Sequence, residues 1–262
     1  RGGYQGPAAT ILGSAAAGIQ ALIEATREIR AGTAKGMLEA SAWGPFAEMY
    51  LNYLARRGWL ADPGDDPGTA LRPFDATARG TIPGEAGVAF LLESLETAEA
   101  RGAEILAEVV GGETRFSPAG AGDDLATRAE VISASVPEDL PLDAIAVGGT
   151  GVPEMDRLES LAWVEALGAQ RAGDAAWITT TASNGYTGPT SAPLSLLAGL
   201  LAAREGTLPP LPNLTAPDPE GGPIRPRSKP EPATIRGLAV SSFSFEGYHA
   251  ALSLRPWSAA GE

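Results

Sequence analysis

The sequence predicts an α/β fold, and three observations carry that expectation. Short apolar or β-branched runs alternate with longer segments whose apolar residues recur at helical spacing. Glycine turns follow several of the runs. The chain's 33 glycines and 22 prolines punctuate these segments in a chain that is 44% hydrophobic, a globular rather than a disordered composition. At 262 residues it can bury a substantial core as one large domain or two half-domains.

In chain order, residues 9–14 ("ATILGS") read as a buried strand ending in a tight turn. A helix follows over 15–31, with Ile19, Leu22, Ile23, Thr26 and Ile29 on one face and Gly32 as its stop. Residues 36–43 read as another buried strand and 46–60 as a helix. Residues 64–86 are rich in turn residues and read as a long surface loop. Residues 87–103 pass from strand to helix, and 104–116 form a strand. The pattern then restarts: strand 144–151 ending in glycines, helix 154–167, strand 175–183 and helix 193–206 closed by Gly206. Residues 207–234 hold nine prolines and predict an extended surface loop. Residues 237–256 read as two strands around a turn.

Charge and composition exclude several functions. The net charge is −13, and Lys35 and Lys229 are the only lysines. Nucleic acid and anionic membranes both need a basic face, so neither is an expected partner. With no cysteine, thiol catalysis, thiolate metal sites and disulfides are ruled out. The longest apolar stretches are too short to span a bilayer, no signal peptide is visible, and a cytoplasmic protein is expected. "VGGTGVPE" and "VVGGET" lack the spacing of phosphate loops, and no cofactor is expected. Asp65–Asp66 and Asp123–Asp124 lie among turn residues and read as solvated surface rather than metal ligands. Asp156 and Glu159 could form an acid/base pair, but helix-start electrostatics and structural hydrogen bonding are the favoured reading.

The turn at residues 13–17 is how an enzyme presents a nucleophile at a helix N-terminus, yet its point is Ala15, flanked by Ser14 and Ala16. Other segments explain why. "LRPFDATARGTIPGEAGVAFLLE", "GGTGVPEMDRLES", "LAAREGTLPPLPNLTAPDP" and "FSFEGYHAAL" occur in the order seen in the β-ketoacyl synthase family, which they resemble. Gly149, Thr150, Gly151, Pro153, Asp156 and Glu159 keep the spacing of that family's Gly-Thr-Gly-Thr-Pro turn and the acids after it. The resemblance implies a thiolase-like α-β-α-β-α layered fold, with residues 1–103 the remainder of its N-terminal half and 104–262 its C-terminal half. It also implies that the opening part of the N-terminal half lies on a separate or cleaved segment, without which the chain would expose raw core.

A working member of that family uses a Cys and two His. Laid on the blocks, the Cys position falls on Ala15, the first His on Gly148 and the second on Tyr186, while the motif lysine falls on Thr181. Every catalytic position is therefore replaced. The single histidine, His249, is placed in the C-terminal turn and reads as structural. "TIPGEAGVAFLLE" and Val152 look closest to the chain-length-factor branch of type II polyketide synthases, which pairs with an active ketosynthase. Ala15 departs from the Gln often found there, so an inherited decarboxylase is not supported. The implied function is a non-catalytic subunit shaping the acyl tunnel, partnered with an active ketosynthase and, indirectly, an acyl carrier protein. The alternatives are an acyl-transfer or condensing enzyme using Ser14 or Tyr186, and a purely structural subunit. Enlarging Gly148 is expected to disturb the fold, with Gly149 and Gly151 the least tolerant of Val.

Overall fold

The structure, a computed structural model, describes residues 5–44, 47–117 and 125–257. A first helix, α1 (Ala17–Arg30), is followed by β1 (Gly36–Trp43), α2 (Glu48–Arg56), β2 (Ala86–Glu93) and α3 (Leu95–Ala100). Then come β3 (Ala107–Phe116), α4 (Leu125–Ser135), β4 (Ala144–Ala146), α5 (Pro153–Leu167) and α6 (Ala169–Asp174). The rest is β5 (Ala176–Ile178), α7 (Thr181–Asn184), α8 (Ser191–Glu205), the short pair β6 (Thr207–Leu208) and β7 (Glu231–Pro232), β8 (Leu238–Phe243) and β9 (Tyr248–Pro256).

A five-stranded mixed sheet in the order β3-β9-β8-β4-β5 organises the chain. β8, β4 and β5 run parallel, in register Ala144↔Leu238 and Ala144↔Ala176, while β9 pairs antiparallel with β8 and β3. These central strands are buried on both faces, and their alternation sorts residues between two cores. Ala144, Ala146, Leu238 and Val240 face α1 and α8, where Ile19, Leu22, Ile23, Leu196 and Leu200 are buried. Ile145, Val147 and Ala239 face α4–α6, against Val131, Ile132, Trp163 and Ala172. Each fully buried Ile or Leu contributes about 1.5–3 kcal/mol. The other side of α1 packs on a two-stranded antiparallel ribbon, β1–β2, paired Gly36↔Glu93 through Trp43↔Ala86. The described residues thus form four layers: α4–α6, sheet, α1 with α8, and ribbon.

Several expectations need correction. Residues 9–13 are not a strand: they hold no ladder, and Leu12 is exposed. An apolar run becomes a strand only where a neighbouring strand takes its backbone groups. β1 has the predicted bounds but alternates between exposed and partly buried residues, with Glu39 alone buried, because α1 covers one face only. The 64–86 segment is a surface loop only at its start: residues 64–68 are exposed, but Leu71, Phe74, Asp75, Ala78 and Thr81 are buried. The proline-rich loop is closed by β6 and β7 and buries Leu208, Leu211, Leu214, Ile224 and Arg227. His249 lies inside β9, opposite Phe243, not in a turn. α4 and α6 were not anticipated.

Candidate functional site

The three parallel strands end side by side, and the positions singled out in the sequence collect at those ends, where open α/β sheets place their ligands. β4 runs into the turn Val147–Val152, β5 into Thr179–Thr181, and β8 into Ser241–Phe243. The first turn of the chain meets the last of these: Ser242 Oγ donates to the Ala15 carbonyl at 2.8 Å. Residues 14–16 form one 3-10 turn leading into α1. Ser14 has φ 49°, a conformation a non-glycine residue holds at a cost of roughly 1–3 kcal/mol. It is exposed, while Ala15 and Ala16 are buried. Gly18 lets α1 approach closely, since a β-carbon there would sit 2.5 Å from the Pro189 carbonyl oxygen.

Gly148 and Thr181 are in direct contact. Thr181 Oγ1 and Thr179 Oγ1 donate to the Gly148 carbonyl at 2.6 and 3.0 Å. The two hydroxyls hold the end of β4. The sequence expectation for Gly148 itself is overturned. A β-carbon there would meet nothing within 4 Å, and Gly148 has no positive φ, whereas Gly149 and Gly151 have φ +62° and +80° with close neighbours. Strain therefore belongs to the second and third of these glycines, and Gly148 has room for a side chain.

Tyr186 is buried on the strap that follows α7. Its N–H donates to the Ile82 carbonyl and its carbonyl accepts from Gly84 N, so the "TIPG" segment runs beside it. Its ring lies 6.5 Å from Phe245, which lies 4.3 Å from Trp59, and the run continues through Tyr53, Tyr50 and Trp43. Burial, with the nearby Tyr50 and Glu246 adding, holds the Tyr186 phenol well above its ordinary value. It is a neutral ring.

Asp156 and Glu159 are bonded to the turn after β4. Asp156 Oδ1 accepts from Thr150 N and Thr150 Oγ1, and Oδ2 from Phe74 N and Gly151 N, all within 2.6–2.9 Å. Glu159 accepts from Gly148 N, Gly149 N and Ser241 Oγ, and Trp163 Nε1 donates to the same Ser241. Burial raises Asp156 to about 6 despite its four donors. Burial likewise raises Glu159 to about 7, the Asp156 charge adding to it and Gly149, Ser241 and Arg128 opposing. Pro153 opens α5, the helix that carries both acids.

Some residues of this framework were not singled out in the sequence. Phe74 sits in the Arg-Pro-Phe-Asp loop at φ +65°, packed beside Gly149. Asp75 is sunk in its own loop: burial would raise it, but hydrogen bonds from Thr77, Ala216 and Thr215 outweigh burial and hold it well below the usual carboxylate range. Arg128, on α4, is buried over the Phe243 ring at 4.9 Å. The motif flagged the loop, yet nothing in it announces a strained aromatic or a buried guanidinium. Of the acidic clusters, Asp66 accepts from Gly68 N and caps the 67–69 turn. Asp123 and Asp124 lie outside the described residues. No helix among the described residues is long and apolar enough to cross a membrane.

Comparison with known proteins agrees with this geometry. The model of the β-ketoacyl synthase N-terminal domain matches residues 1–98, and that of the C-terminal domain residues 98–215. The actinorhodin polyketide β-ketoacyl synthase 2 of Streptomyces coelicolor is 31% identical over 267 residues, 97% of this chain and 63% of that protein. The tetracenomycin ketoacyl synthase alpha subunit of Streptomyces glaucescens is 32% identical over 225 residues, 83% and 53% respectively. Among solved structures, the ishigamide ketosynthase/chain length factor matches at TM-score 0.84 and 28% identity over 96% of this chain and 61% of that one. A type II polyketide ketosynthase in complex with its acyl carrier protein matches at TM-score 0.90 over 97% and 64%; at 23% identity it bears on fold alone. The chain spans between half and two thirds of the curated relatives' length.

Proposed function

Since the chain belongs to the β-ketoacyl synthase family and has its thiolase-like fold, we propose that it is a non-catalytic, chain-length-factor-like subunit. It pairs with an active ketosynthase and shapes the acyl tunnel in type II polyketide biosynthesis. The observation that carries this reading is the contrast between frame and content. The strained turn at Ser14, the pinned Ala15 carbonyl and the Asp156–Glu159 scaffold are kept. The groups presented on that frame are Ala15, Gly148, Thr181 and Tyr186. Condensation in the family needs a thiolate and imidazoles that stabilise developing charge, and these four side chains supply neither.

The test is co-expression with a type II ketosynthase and a carrier protein. The chain is expected to co-purify with the ketosynthase, to take no acyl label itself, and to change product length when exchanged for another subunit of its kind. An acyl adduct on this chain would replace this reading with that of a condensing enzyme. Ser14 is the residue to watch, because it is the exposed hydroxyl of the strained turn. Unchanged product length with failed assembly would leave a purely structural subunit.

Ala15→Cys alone is expected to give no condensation. The thiol would sit at a helix N-terminus and gain some thiolate character, but Gly148 and Tyr186 would still offer no imidazole. Carbon dioxide release from malonyl carrier protein, measured without an active partner, should stay at background. Turnover above it would show that the reacting groups have been misplaced.

A further inference from the structure

Glu39 is a carboxylic acid in an apolar contact, and nothing in the proposed function uses it. It points from β1 toward α1 and is 4% exposed. Ser41 Oγ bonds its Oε1, and its Oε2 has no hydrogen-bond partner among the described residues. Ser41 Oγ would lie 2.9 Å from a β-carbon on Gly18, so the Glu39–Ser41 pair abuts the first turn of α1. Across the ribbon Glu39 is paired with Phe90, which packs on the core beneath.

The charged groups on the surrounding elements are directed elsewhere. On α1, Arg27 reaches Glu24 and Glu113, Arg30 donates to the Val109 carbonyl, and Glu28 accepts from Thr33. On β2, Glu93 pairs with Arg101. On β1 itself Glu39 is the one acid, and Lys35, just before the strand, is exposed. The 188–190 turn carries no charge.

We infer that Glu39 is a proton-operated latch. Protonated, it seats α1 and its leading turn, residues 14–16, on the β1–β2 ribbon; ionised, it loosens them. A carboxylate held there without a cation or a second donor costs several kcal/mol, whereas the neutral acid packs at far lower cost. The first turn of α1 has no side-chain cap and no acidic residue of its own, so on the ribbon side its seating rests on packing of this kind, while Ser242 holds the Ala15 carbonyl on the sheet side. Burial pushes the Glu39 carboxyl above the ordinary glutamate value, and the Ser41 hydrogen bond only partly opposes it. The sign follows. Above the ordinary value the unfolded chain has released this proton while the folded chain retains it, so the unfolded state binds fewer protons. Stability from this group is fully present below the unfolded value and is lost as pH rises through the folded one.

The test compares the full chain, purified with whatever subunits accompany it, with its Glu39→Gln variant between about pH 5 and pH 8. The variant is expected to melt above the parent, by a gap that widens as pH rises. Amide exchange in the first turn of α1, corrected for intrinsic rate, should accelerate with pH in the parent and not in the variant. Asp156 and Glu159 contribute equally to both proteins and cancel in the comparison. Parallel pH profiles would overturn the latch. If the variant does not fold, carbon-13 titration of the parent's Glu39 carboxyl decides: a midpoint above the ordinary glutamate range supports the latch, and one within it refutes it. Neither outcome depends on whether the chain is a catalytic or a non-catalytic member of its family.

Discussion

Asp156→Ala is expected to destabilise the chain by about 3 kcal/mol or more, a large part of the roughly 5–15 kcal/mol by which domains are held folded. The reason lies in what the carboxylate joins. Phe74 N, Thr150 N and Gly151 N all donate to it, along with the Thr150 hydroxyl. Three of those four donors belong to the turn after β4, and one belongs to a loop 82 positions before Asp156. Removing the acceptor leaves two buried N–H groups and the half-buried Thr150 N–H without partners, each buried one at about 1–3 kcal/mol, offset in part because the buried charge is removed too. The loss would reach Phe74 as well, whose φ of +65° persists only while its surroundings hold it. Asp156→Asn should recover only part of the loss. Its amide oxygen can take one pair of donors, but its NH₂ would face two N–H groups and cannot accept from them. Chemical denaturation of the two variants and the parent is the measurement. An Ala variant within about 1 kcal/mol of the parent would mean that the turn and the loop are held by packing alone.

The same network shows where sequence reading stops. β1 and α8 were legible nearly to the residue, because local signals mark them: an apolar run bounded by Gly36 and Gly44, and a helix closed by Gly206, which adopts the left-handed cap at φ 64°. The family was legible, because the blocks around Ala15, Gly148, Thr181 and Tyr186 keep their order and the family models match along the chain. What could not be read depends on partners distant in sequence. Residues 9–13 have the composition of a strand, but no strand beside them in the described residues takes their backbone groups. The Arg-Pro-Phe-Asp loop has the composition of a surface turn, but Asp156 supplies an acceptor that lets its backbone be buried. Glu39 looked like one more residue of a strand, since alternation assigns a face without saying what lies against it. His249 was placed in the turn although the strand register opposite Phe243 claims it.

The glycines of the Gly148–Gly151 turn separate in the same way, and Gly151→Val is the second large effect expected. Gly151 holds φ +80°, and a β-carbon on it would lie 2.5 Å from the Gly80 carbonyl oxygen and 2.6 Å from Leu71 Cδ1. Leucine can turn aside. The Gly80 backbone cannot do so freely, because its N–H donates to the Gly151 carbonyl at 2.9 Å and a shift would break that bond. Backbone strain alone costs a β-branched residue roughly 1–3 kcal/mol there, and the clash adds to it. The change should also reach Asp156, whose Oδ2 accepts from Gly151 N. Gly148→Ala, three residues earlier, is the control. Its β-carbon meets nothing within 4 Å and its φ is not positive, so its stability should stay within about 0.5 kcal/mol of the parent. Thermal melts of the two variants side by side decide the matter. If Gly151→Val melts with the parent, the turn is not strained where its geometry puts the strain. If Gly148→Ala melts as low as Gly151→Val, the space beside Gly148 is filled rather than open.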